Sequence, residues 1–162
     1  MLAFPDPNKP VAEQDDVVLL ALTVLGEAEG EPDLGKYAVA WVVKNRMLLK
    51  KKGVRDVVMA PWQFSCWNLG EPRRAFLEDT ALKAAKNLPM AVWAACVRAS
   101  HEVLDGLADD PVGGATHYCT NALWGNDDSD RRRPRWFSRQ EIASGRTVET
   151  TRIGGHTFGA AA

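Results

Sequence analysis

The chain is poor in the features that would assign it quickly. It has only three cysteines in 162 residues, Cys66, Cys96 and Cys119, odd in number and widely spaced. That excludes a disulfide framework, and no CxxC pair or Cys/His spacing offers a zinc site. Such cysteine usage points to folding in a reducing compartment. Charge of one sign is also lacking: 20 Lys and Arg stand against 21 Asp and Glu, a formal net charge of −1. Nothing in that balance drives binding to nucleic acid or to an anionic membrane. The apolar run Val17–Leu25 is too short to span a bilayer. Residues 1–10 lack a basic start followed by an apolar core, so no secretory signal is expected. Asp128-Ser129-Asp130 lacks the glycine and closing glutamate of a calcium loop, and neither a metal nor another cofactor is expected.

What is present suits one compact domain. Hydrophobic residues make up 46% of the chain, enough for a core at this length, and six tryptophans are many. Exposed tryptophan faces suit sugar rings, although most tryptophans of a small domain are core. Residues 1–13 read as a Pro-rich extended lead-in, and 14–162 as a single domain without repeat or linker. Asp15 or Asp16 can cap a first helix reaching Ala28, apolar all round except for Thr23. A second helix starts at Pro32 and follows the stripe Leu34, Tyr37, Ala38, Trp41, Val42, Asn45, Leu48 and Leu49. It closes on Lys50-Lys51-Lys52 and a Gly53 stop, so the lysines read as a solvated, dipole-matched helix end. Val54–Met59 is ambiguous, and residues 61–72 read as an aromatic loop. Glu78–Leu88 and Met90–Leu107 read as further helices separated by Pro89. Beyond Asp109 the texture changes: residues 113–118 have strand character, and Thr150–Phe158 reads as a hairpin around Gly154-Gly155. The expected class is therefore α+β, mainly α, with a small β or irregular C-terminal part.

Gly26-Glu27-Ala28-Glu29-Gly30-Glu31-Pro32 follows directly on the apolar first helix. An acid at that place is physically loaded. Desolvation and the negative end of the helix dipole both favour the neutral carboxyl, the form a general acid needs. Three glutamates compete for that role on this reading.

Further pieces follow in order: Gly35 with Ala38–Arg46, then Gln63-Phe64-Ser65-Cys66, Gly114-Ala115-Thr116-His117-Tyr118, Trp136, and Ile153-Gly154-Gly155-His156-Thr157-Phe158. Each is weak alone, but the ordered set resembles the SleB-type cell wall hydrolases, the family of spore cortex-lytic enzymes. The resemblance spans roughly residues 17 to 158. It implies a lysozyme-like fold, bacterial peptidoglycan as partner, and lytic transglycosylase cleavage of the glycan strand. Its catalyst is the first glutamate of the motif, which is Glu27 here.

A hydrolase of this class usually needs a second carboxylate; a transglycosylase does not. Candidates for one are Glu29, Glu31, Asp33, Asp127, Asp128 and Asp130. Glu29 and Glu31 are near in sequence, but alternate residues do not share a helix face. Glu31 and Asp33 read more simply as acids serving the N-terminus of the second helix. The negative charges of Glu29 and Glu31 would also help to keep Glu27 protonated. Gln63, Phe64, Ser65, His117, Tyr118 and Trp124 are candidates for substrate binding, with Trp136 as the alternative stacking face. Asn45 reads as a buried hydrogen-bonding residue, His156 as a structural residue of the hairpin, and Arg131, Arg132, Arg133 and Arg135 as a solvated loop. Three rivals stand beside the transglycosylase: a muramidase with a second carboxylate, a Cys66–His117 thiol dyad cutting peptide stems, and a non-enzymatic glycan-binding or virion module. A monomer is expected. Joined to the missing export signal, the resemblance suggests a phage endolysin held in the host cytoplasm until its release to the wall.

Overall fold

The structure is a computed structural model and describes residues 2–126 and 136–161. Its centre is helix α1, Asp16–Ala28. Every position from Val18 to Leu25 is buried, as an uninterrupted apolar sequence requires, and each fully buried leucine contributes ~2 kcal/mol. The one polar residue in the run is satisfied. The Thr23 hydroxyl donates to the Leu19 carbonyl (2.9 Å) and accepts the Trp67 indole N–H (3.0 Å).

Helix α2, Asp33–Lys50, starts after Pro32 as its sequence predicts. Its end differs. The left-handed residue is Lys51 (φ 53°), whose N–H bonds the Met47 carbonyl, and Gly53 instead precedes a short helix α3, Val54–Val58. Val54, Val57 and Val58 are all buried, and that burial draws the chain into a new helix immediately. Helix α4 covers Pro72–Leu82, not Glu78–Leu88. Proline occupies its first position, where the missing N–H costs nothing. The chain then leaves helical geometry at Ala84 and Ala85, both at positive φ (48° and 60°), which buries Ala85. Helix α5, Met90–Leu104, packs against α1 and α2.

The lead-in is fastened to the core. The Trp93 indole donates to the Ala3 carbonyl (2.9 Å), and buried Gln14 bonds the backbone of Asp6 and Lys9. Strands β1 (His117–Thr120), β2 (Thr147–Ile153) and β3 (His156–Ala161) form an antiparallel sheet in the order β1-β3-β2. The expected hairpin is β2-β3. A short helix α6, Arg139–Ala143, precedes it. Ile153, Phe158, Val112 and Ala115 pack on Ala38 and Val42, so α2 joins the sheet to the helical core. The expectations placed on Asp127, Asp128, Ser129, Asp130, Arg131, Arg132, Arg133 and Arg135 lie outside the described residues.

Candidate active site

A cleft of about 570 Å³ opens between the end of α1, the 62–68 loop and the face of the sheet. Glu27 lies in it, on the last turn of α1. Its Oε1 accepts the Cys66 backbone N–H (2.8 Å) and the Ser65 hydroxyl (3.1 Å). Its Oε2 accepts the Tyr118 hydroxyl (2.7 Å). An amide N–H can only donate, so Oε1 is the committed acceptor and a proton on this carboxyl resides on Oε2.

Gly26 makes the arrangement possible. A Cβ there would fall 2.6 Å from the Cys66 Cβ and 2.8 Å from a Leu77 methyl. Only a residue without one lets the Ser65–Trp67 turn close onto the helix and present its N–H to Glu27. Burial and the neighbouring Glu27 raise the Tyr118 phenol well above its ordinary value, so it stays a protonated donor.

Of the residues expected to bind substrate, Gln63, Ser65, His117 and Tyr118 line the cleft. Phe64 does not: it is buried, with the Arg46 guanidinium 4.7 Å from its ring centroid. Trp124 is not on the cleft lining either; its ring packs over Gly159, where a Cβ would come within 3.2 Å. Of those two tryptophans the one that lines the cleft is Trp136, 5.0 Å from the His117 ring. His117 shares a hydrogen bond between Nδ1 and the Thr116 hydroxyl (2.9 Å). Burial, with Arg46 and Lys50 nearby, lowers its pKa to about 4, so it is neutral at physiological pH.

Several cleft residues received no role from the sequence, Arg46, Trp62 and Asn68 among them. Arg46 is buried and clamps two walls together, donating to the Thr116 carbonyl and to the carbonyl (3.3 Å) and side chain (3.4 Å) of Gln63. Trp62 and Asn68 also line the cleft. The one signal for them was position, beside Gln63-Phe64-Ser65 in an aromatic loop. Asn45 is half-buried rather than buried, but it hydrogen-bonds as expected: it bonds Asp110 (3.3 Å) and the Ala115 carbonyl (3.0 Å), fixing the turn that leads into β1. His156 is more than a hairpin residue. Its ring lines the cleft, edge-on to Tyr118 at 5.2 Å, and its buried Nδ1 has no hydrogen-bond partner among the described residues.

The remaining acids of the motif are engaged elsewhere. Glu29 pairs with Arg73, which also bonds the Leu25 (2.8 Å) and Gly26 (3.3 Å) carbonyls. Lys36 reaches the carbonyls of Glu31 (2.6 Å) and Glu29 (3.4 Å). Two cations therefore meet the negative end of α1, a compensation with no local signal in the sequence because Arg73 comes from α4. Glu31 does not serve the start of α2: its carboxylate accepts the Gly155 N–H (3.0 Å) in the hairpin turn. Asp33 pairs with Arg98 (2.9 Å). The thiol dyad fails on geometry. Cys66 is 1% exposed and absent from the cleft lining, and burial together with Glu27 pushes its thiol far up, away from the nucleophilic thiolate. Among the described residues, no cluster of His, Cys, Asp and Glu could hold a metal ion.

Comparison with known proteins gives this geometry a context. Residues 30–159 match the family model described as Cell Wall Hydrolase; Glu27 lies just before the matched span. A spore cortex-lytic enzyme of Halalkalibacterium halodurans is 34% identical over 115 residues, 68% of this chain. The chain spans 29% of that relative's length. The catalytic domain of the Bacillus cereus SleB protein is similar in fold, with a TM-score of 0.55 and 24% identity over 88% of both chains. So is the catalytic domain of a germination-specific lytic transglycosylase, SleB from Bacillus anthracis, with a TM-score of 0.56 and 23% identity. That likeness covers 88% of this chain and 92% of the other. The fold is the expected α+β, mainly α, lysozyme-like one.

Proposed function

The chain belongs to the cell wall hydrolase family, and from that premise we propose that it cuts the glycan strands of peptidoglycan as a lytic transglycosylase. The bond is the β-1,4 linkage between N-acetylmuramic acid and N-acetylglucosamine, and the general acid and base is Glu27. The observation that carries the reading is the Glu27 carboxyl itself. It is the one carboxyl among the described residues lining the cleft, with Oε1 fixed by a backbone N–H and Oε2 beside the Tyr118 hydroxyl.

The proposed step uses that geometry. The Oε2 proton passes to the glycosidic oxygen as the bond from that oxygen to the muramic acid C1 breaks, and positive charge develops at C1. The ionised Glu27 then takes the proton of the muramic acid 6-hydroxyl, whose oxygen attacks C1 and closes a 1,6-anhydro ring. No water is consumed, and Glu27 ends protonated as it began. The Tyr118 hydroxyl can donate to Oε2 or accept from it, so it holds that oxygen in both states. Neutral His117 and the Trp136 ring offer polar and apolar contacts for the sugar without adding charge to the cleft.

Mass spectrometry of digested, purified peptidoglycan tests the chemistry. Anhydro-muropeptides, lighter by one water than reducing-end products, are expected. Reducing ends alone would replace the reading with muramidase hydrolysis. Glu27→Gln should lower cleavage at least a hundredfold while the protein still melts cooperatively. Undiminished cleavage would remove Glu27 from the mechanism. We further propose that this cleavage serves host lysis by a phage. Cytoplasmic expression followed by membrane permeabilisation should clear a susceptible culture, and failure to clear it would remove that setting.

A further inference from the structure

Trp62 combines two features that folding does not favour. Its indole is 78% exposed, and its backbone lies in the left-handed region at φ 63°. A bulky residue there is strained, and such strain persists where surrounding structure holds it. The surroundings do hold it. The next residue, Gln63, is clamped through its carbonyl and side chain by buried Arg46 and through its N–H by the Ala60 carbonyl (3.2 Å). The residue after that, Phe64, is sunk in the core. The chain is thus anchored directly after a side chain that contributes little to the core, and the Gln63–Ala60 hydrogen bond closes the turn that carries it. That side chain lines the cleft holding Glu27.

We propose that Trp62 is a sugar-stacking platform: its exposed indole face takes one pyranose ring of the glycan strand and sets the strand's register over Glu27. A flat apolar face on a fixed backbone matches the C–H-bearing face of a pyranose, and a clamped backbone loses little freedom on binding. Polar groups for the ring's hydroxyl and acetamido substituents stand on the same cleft lining, at Gln63 and Asn68. This inference rests on the proposed glycan substrate, but it concerns binding and not bond cleavage.

The test is made in the Glu27→Gln background, where binding is read without turnover. Purified sacculi and chitohexaose are the probes, by co-sedimentation and calorimetry. Trp62→Ala should weaken binding about tenfold, Trp62→Phe should restore most of it, and Trp62→Leu should not. Trp62→Gly should weaken binding equally but melt no lower than its parent, because glycine accepts the left-handed backbone. In the active protein, Trp62→Ala should raise KM about tenfold and change kcat less than threefold. Wild-type binding by Trp62→Ala, or equal rescue by leucine and phenylalanine, would overturn the platform and leave the Glu27 reading intact. Reducing-end products, or an active Glu27→Gln, would overturn the transglycosylase reading and leave the binding result standing.

Discussion

Glu27 is held by a backbone N–H, and that fact separates it from its neighbour Cys66. The amide survives any side-chain change, so Cys66→Ala should retain most of the glycan-cleaving activity, and iodoacetamide should not inhibit the folded protein. Rapid thiol-dependent inactivation that Cys66→Ala abolishes would reopen the dyad, whereas inactivation that persists in that variant would point to Cys119 on the cleft lining. Tyr118 is the converse case, because its contact with Oε2 comes from the side chain. Tyr118→Phe should cost ~1 kcal/mol of stability and lower kcat roughly tenfold, as measured by melting and by product formation. His117 contributes through pH. Its folded pKa, about 4, lies below the unfolded value of 6.5, so the unfolded chain binds the extra proton between them. Stability from this residue is complete above pH 6.5, falls as the pH drops toward 4, and is constant below. Melting temperatures from pH 4 to 7.5 should fall less steeply for His117→Gln. An identical slope would show that the imidazole is not held neutral.

At the scale of elements, the site depends on how closely the Ser65–Trp67 turn approaches α1. Gly→Ala inside a helix ordinarily stabilises by up to ~1 kcal/mol. At Gly26 the sign should reverse, because the new methyl would meet the Cys66 Cβ at 2.6 Å. Overpacking of this kind costs about 1–3 kcal/mol and would lift the Cys66 N–H off Glu27, so Gly26→Ala should lose both melting temperature and cleavage. A stable, active Gly26→Ala protein would show that the close approach is not required. Helix ends were the least legible elements. The pattern of α2 was plain, but its stop moved from Gly53 to Lys51, because buried Val54, Val57 and Val58 start the next helix at once. The end of α4 could not be read either: Ala84 and Ala85 are good helix formers locally, and only the burial of Ala85 turns the chain out of the helix.

At the scale of the whole molecule, the sheet and the helical core meet at the cleft, and besides Glu27, which accepts the Tyr118 hydroxyl of β1, a second acid ties them. Glu31 leaves the α1–α2 connection and accepts the Gly155 N–H, with Gly154 at φ 55° giving it room. Glu31→Ala should cost roughly 1.5–3 kcal/mol, the range for hydrogen bonds to charged groups. It should also lower kcat, since Tyr118 and His156 are carried by the strands it anchors. Wild-type melting would show that the apolar packing of Phe158 and Ile153 on α2 suffices. The sequence by itself determined the buried first helix and the hairpin, because apolar continuity and paired glycines are local signals, while Glu27, Glu29 and Glu31 competed there until the family resemblance singled out Glu27. It also marked Gln63, Ser65, His117 and Tyr118. Only the tertiary structure decided the rest. It sank Phe64 and turned Trp62 outward, though the two lie two residues apart in one aromatic loop. It gave the cleft to Trp136 rather than Trp124, brought Arg73 and Lys36 to the end of α1, and assigned Glu31 to the hairpin. Each of those outcomes depends on which surfaces meet across the chain, and the direction a loop side chain takes is set by what it packs against, not by its neighbours in sequence.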